Sequence, residues 1–196
     1  MLQIRHYLLR MAAAALPGVL FWALFYPWRQ RRRGERKLQP GPYREGALLL
    51  FDMFLAGLLV LVLTPPAGWA YSGPFQGTVN LIPIRESVRL FRFYWEHGMW
   101  TAIWVNFPGN ILMFMPVGFF ASLLSDRPRW WKGTLWTFVL SLFIETAQLF
   151  VCRGTDVDDL VLNTLGGLLG YGCFRLLERL SPEFIRQCAK TQKGSG

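Results

Sequence analysis

Charge is scarce in this sequence. Asp, Glu, Lys and Arg make up 17% of its 196 residues, against about 25% in an ordinary soluble domain. Hydrophobic residues reach 53%, so the single soluble domain that the length would suit is excluded. Histidine is nearly absent: His6 and His97 are too isolated to support a metal site or a catalytic triad. Three cysteines cannot all pair. Cys152 ends one apolar run, Cys173 sits within the next and Cys188 lies beyond it. A helical chain between the first two would hold them roughly 30 Å apart, beyond disulfide reach. All three are read as free thiols, which leaves the redox compartment open. Acidic residues number 12 against 21 basic ones, a net charge of +9. That excess is no footprint for nucleic acid, because the basic residues flank apolar runs and no soluble nucleic-acid fold is visible.

What is present is apolar sequence in span-sized lengths. A transmembrane helix needs about 20 largely apolar residues, and five runs qualify: residues 8–28, 47–63, 101–124, 133–151 and 160–180. The 9 Trp and 16 Phe suit anchoring at bilayer interfaces. The first run, with Arg5 and Arg10 at its N-terminal side followed by an Ala-rich stretch, looks like a signal peptide. It continues through Phe21-Trp22-Ala23-Leu24-Phe25 into a basic cluster, which reads as an uncleaved anchor. The expected fold is all-α, a polytopic membrane bundle of about five transmembrane helices plus an outer amphipathic interfacial helix. Residues 1–46 form the N-terminal transmembrane anchor and a basic cytoplasmic loop, residues 47–180 the membrane domain, and residues 181–196 a cytoplasmic tail.

Lysine and arginine set the expected orientation. Arg29, Arg31, Arg32, Arg33, Arg36, Lys37 and Arg44 lie between the first two spans, Arg127, Arg129 and Lys132 between the third and fourth, and Arg175, Arg179, Arg186, Lys190 and Lys193 at the end. Cytoplasmic loops carry the positive excess, so the N-terminus is expected outside and the C-terminus inside. On the outer side, Ile84, Val88, Phe91 and Trp95 share one helical face, with Arg85, Arg89, Arg92 and Glu96 on the adjoining one. Such a helix lies in the headgroup plane. It serves as an anchor, or its arginines collect anionic lipid or sugar phosphates.

Polar side chains inside a bilayer are costly and mark candidate sites. Ser141, Glu145, Gln148 and Cys152 form one stripe on the fourth span. Asn106 and Asn110 flank Pro108-Gly109 on the third, where proline loosens the helix. Asp156, Asp159 and Asn163 share a face at the start of the fifth. With the orientation above, these groups gather at one outward-facing level. Blander readings stand beside this one. Thr155-x-x-Asp158 matches a capping box, and first-turn carboxylates suit the helix dipole. Asn and Gln glue helices together, and Gly166 and Gly170 favour close packing. Asp52 is read as interfacial. Glu145 requires either a protonated form or a cationic partner such as Arg153 or Arg85.

One ordered set of motifs resembles a known family. Asn80-Leu81-Ile82-Pro83-Ile84, then Asn106 to Asn110 leading into Phe114-Met115-Pro116-Val117-Gly118-Phe119, then Ile144-Glu145 with Gln148, are followed by Arg153-Gly154-Thr155-Asp156-Val157-Asp158-Asp159-Leu160 and Asn163-Thr164-Leu165-Gly166-Gly167-Leu168-Leu169-Gly170-Tyr171. Together these are similar to the VanZ-like membrane proteins over roughly residues 47 to 175, although Ile84 stands where an aromatic residue is frequent. The resemblance implies a bacterial multi-pass protein of the cytoplasmic membrane, in a family whose namesake is associated with teicoplanin resistance.

Three functions remain open. The chain would bind or modify a lipid-linked or anionic envelope substrate. Asn80, Arg85, Asn106, Asn110, Gln148, Arg153 and Asn163 would then contact it, Glu145 and Asp159 would catalyse, and Asp156, Asp158 and Asp159 would hold a divalent cation such as Mg²⁺. Alternatively it is a non-catalytic resistance or scaffold factor, binding a glycopeptide antibiotic or a lipid-linked cell-wall intermediate among membrane lipids. A transporter built on the proline-broken third span is the third reading. Nucleic acid is not an expected partner.

Overall fold

Helix dominates because the apolar runs must satisfy their own backbone hydrogen bonds. The computed structural model describes residues 2–35, 38–64, 79–80, 82–150, 155–189 and 191–193. In chain order the elements are α1 (Leu2–Glu35), β1 (Leu38–Pro40), α2 (Arg44–Leu63), β2 (Val79–Asn80), α3 (Arg85–Glu96), α4 (Trp100–Asn106), α5 (Pro108–Leu123), α6 (Trp130–Gln148), β3 (Thr155–Asp156), α7 (Val157–Leu180), α8 (Pro182–Ala189) and β4 (Thr191–Lys193).

The five expected spans are α1, α2, α4 with α5, α6 and α7. Three of these, α2, the Trp100–Leu123 stretch and α7, are long and apolar enough to cross a membrane. In the other two the apolar character is diluted. Arginines crowd both ends of α1, and α6 opens on Trp130-Trp131-Lys132 and closes through Glu145 and Gln148. Leu112, Trp136, Phe143, Val161 and Leu176 are exposed on the flanks, as an apolar solvent permits. The expected interfacial helix is α3, whose start is set by Pro83 and Ile84.

Close backbone approach builds the core, and α5 against α7 is its tightest seam. A Cβ on Gly118 would lie 1.9 Å from the Gly167 carbonyl oxygen, and one on Gly170 would lie 2.0 Å from that of Met115. Only glycine allows helices this near, the device that small residues provide in membranes. Along α6, Gly133, Thr137, Ser141, Glu145 and Gln148 are all buried, so the polar stripe faces inward. A Cβ on Gly167 would meet Thr137 Oγ1 at 2.2 Å, which shows how closely α6 also rides on α7.

The two ends of the bundle differ. At one, the Arg44 guanidinium donates to the Leu124 carbonyl at 2.9 Å, and Arg29 pairs with Glu45 at 3.3 Å. There β1 pairs antiparallel with β4, Leu38 opposite Lys193. The described part of the tail packs against the bundle. Ile185 and Cys188 of α8 are buried with Ala47, Leu123 and Phe174; the helix is short and amphipathic, so its apolar side is covered only by docking. Both described cysteines, Cys173 and Cys188, are free; Cys152 lies outside the described residues. At the other end β2 pairs in parallel with β3, Val79 opposite Thr155 and Asn80 opposite Asp156.

Candidate functional site

The β2–β3 pair brings the Asn80–Ile84 turn onto the start of α7. Asp156 is the N-cap of α7: its Oδ1 accepts from the Asp158 main-chain N–H at 2.9 Å and from Asn80 Nδ2 at 3.0 Å. The cap is thus Asp156, not the Thr155 of the expected capping box, because extended backbone at Asp156 places its carboxylate over the free N–H groups. Thr155 instead donates its hydroxyl to the Glu145 carbonyl at 2.9 Å.

Asn80 works at both ends of its amide. Besides donating to Asp156, its Oδ1 accepts from the Ile82 N–H at 3.1 Å, a turn that Asn forms readily. The chain then reaches Ile84, whose φ of 71° is the one positive value for a non-glycine among the described residues. That conformation is strained for a β-branched residue. It aims the Ile84 N–H at Asp158 Oδ1, 2.7 Å away. Asp158 is only 7% exposed, and its Oδ2 is buried with no hydrogen-bond partner.

Two further carboxylates enter from below. Glu145 Oε2 accepts from the Asp156 N–H at 3.1 Å, tying the end of α6 to β3. Asp159 Oδ1 accepts from Asn110 Nδ2 at 2.6 Å, tying α7 to the first turn of α5. Four carboxylates therefore meet at one end of the bundle, opposite the basic end. One turn deeper, Asn163 Nδ2 donates to Ser141 Oγ at 2.9 Å, while its Oδ1 is buried without a partner.

Not every expected site residue joins. Asn106 is exposed and donates to Ala102 in its own helix at 2.8 Å, because the break at Phe107–Pro108 changes the helical phase between it and Asn110. Gln148 donates to the Val62 carbonyl at 3.1 Å, closing the last turn of α2. Arg85 opens α3, and its side chain lies outside the described residues, as does Arg153. Asp156, Asp158 and Asp159, the expected cation ligands, are held apart by separate hydrogen bonds. Each accepts from a different donor, and among the described residues no three His, Cys, Asp or Glu side chains are gathered to hold a metal ion. Sequence reasoning missed the main-chain N–H groups of Asp156 and Ile84, which carry no residue signature; the Asn80-x-Ile82-Pro83 turn was their one visible trace.

The family model VanZ/LLP1 matches residues 13–178. The chain belongs to the VanZ/LLP1 family. The match extends beyond the motif-bearing residues to take in most of α1, which packs along α2 and buries Gly18 against the Asp52–Met53 backbone. No curated protein and no solved structure matches the chain.

Proposed function

We propose that this VanZ/LLP1 chain is a bacterial cell-envelope protein that binds a lipid-linked or anionic envelope substrate at the carboxylate end of the bundle. The observation that carries the reading is the convergence of Glu145, Asp156, Asp158 and Asp159 with Asn80 and Asn110 at one level, drawn from α5, α6, α7 and the β2–β3 pair. Acceptors dominate there, so the part of the ligand they meet carries hydroxyl or amino donors, as a sugar or peptide headgroup does. Arg85 and Arg153 would counter a phosphate. The positive-inside rule supports placing the basic end in the cytoplasm and this end on the outer face.

Binding without chemistry is the better supported role. Asp156, Asp158 and Glu145 all accept main-chain donors and shape the site, and Glu145 and Asp159 are the carboxylates proposed for any proton transfer. Altered glycopeptide susceptibility is the expected cellular consequence of holding such a substrate. The test uses Glu145→Gln and Asp159→Asn in the producing bacterium, with matched membrane yield. Lipid-linked precursor levels and teicoplanin susceptibility should move toward those of a deletion strain. Variants that match wild type while the deletion does not would sink the reading.

A further inference from the structure

On the flank of the bundle, α2, α5 and α6 enclose an apolar groove of about 510 Å³, lined by Phe51, Leu55, Val117, Ala121, Trp136 and Phe143 among others. Its lining contains no charged residue. On each of the three helices the groove face continues to the basic end. On α6, Lys132, Trp136, Leu140 and Phe143 recur at 4, 4, 3 spacing. On α5, Val117, Ala121 and Leu124 do so at 4, 3. On α2, Arg44, Phe51 and Leu55 do so at 7, 4, and the Arg44 guanidinium reaches the Leu124 carbonyl, tying the feet of α2 and α5 together. Exposed Trp130 and Trp131 stand beside Lys132, where an interfacial aromatic belt would be.

We infer that this groove holds one acyl chain of an anionic phospholipid from the leaflet at the basic end, with its headgroup at Lys132. Length decides for a lipid of that leaflet. From Lys132 to Phe143 the helix rises about 16 Å, close to the roughly 15 Å of one hydrocarbon leaflet. Charge decides for an anionic headgroup, because Lys132 stands on the groove face of α6 and Arg127 and Arg129 precede it in the chain by five and three residues. The site is separate from the carboxylate cluster: Leu58, Val62, Phe114 and Ile144 fill the space between them.

The test is binding of dioleoyl phosphatidylglycerol and dioleoyl phosphatidylcholine to the delipidated full chain in neutral detergent, by native mass spectrometry and thermal shift. Wild type should retain phosphatidylglycerol in preference. Lys132→Gln should cut that preference roughly fivefold, the weight of one juxtamembrane lysine, while phosphatidylcholine binding stays. Val139→Trp, at a half-exposed groove residue, should block both lipids. No preference in wild type, or an unchanged preference in Lys132→Gln, overturns the proposal even if the tryptophan variant fails to fold. A folded Val139→Trp that binds as wild type does overturns it too.

Discussion

Asp156 is the residue whose replacement separates architecture from charge. Its Oδ1 caps α7 through the Asp158 N–H and accepts from Asn80. Replacing it by Ala removes a cap, at about 1 kcal/mol, and one side-chain hydrogen bond, at about 1 kcal/mol. The sum of about 2 kcal/mol corresponds to a fall in Tm of roughly 4–8 °C for a chain of this size. Asp156→Asn keeps an acceptor oxygen at the same place and removes only the charge, so its Tm should stay within about 2 °C of wild type. Thermal unfolding of both variants in the same detergent decides between them. If Asn is as damaging as Ala, the carboxylate's charge and not its acceptor geometry holds the joint, and the reading of Asp156 as a staple is wrong. If Ala is neutral, the β2–β3 pairing alone holds it.

Other consequences follow from single contacts. Gly118→Ala must push α5 and α7 apart by roughly 1.5 Å to regain an ordinary contact, and should cost about 1–3 kcal/mol in unfolding assays. Gly172→Ala meets nothing within 4 Å and should leave Tm equal or higher. Ile84→Asn should hold or raise Tm, because Asn tolerates the positive φ that strains Ile by about 1–2 kcal/mol and the Ile84 side chain is mostly exposed. Millimolar Mg²⁺ should not shift Tm, since the three aspartates are spread over separate donors; a rise of several degrees that Asp158→Asn abolishes would restore a cation site.

The bundle was legible because membrane folds announce themselves locally. Apolar length marked α2, α5 and α7, and the arginine clusters marked one end of the molecule. The helical spacing of Ser141, Glu145 and Gln148 predicted an inward stripe, and all three are buried. Reasoning by spacing failed where the helix is interrupted. Asn106 and Asn110 look one turn apart, but Pro108 begins a new helix, and only Asn110 reaches Asp159. It failed again at Thr155, where backbone geometry in β3, not residue type, chose Asp156 as the cap. The docking of α8 was hidden in a tail whose buried apolar positions, Ile185 and Cys188, are too few to signal a helix by period.

The two faces of α6 explain how one membrane helix serves two kinds of chemistry. Gly133, Thr137, Ser141, Glu145 and Gln148 turn inward, where small groups permit close packing; Gln148, Ser141 and Glu145 find partners on α2, α7 and β3, and Thr137 donates to Gly133 of its own helix. Trp136, Val139, Leu140 and Phe143 turn to the groove. A polar stripe can be kept in a bilayer only if it is covered, and the glycines of α7 supply that cover by letting the backbones approach. The stripe carries its one carboxylate, Glu145, near its end, where the helix reaches a donor outside the bundle on the β3 main chain. Depth therefore sorts the residues: glycine and hydroxyl where the bundle is tightest, amide one turn below the carboxylates, and carboxylates at the end.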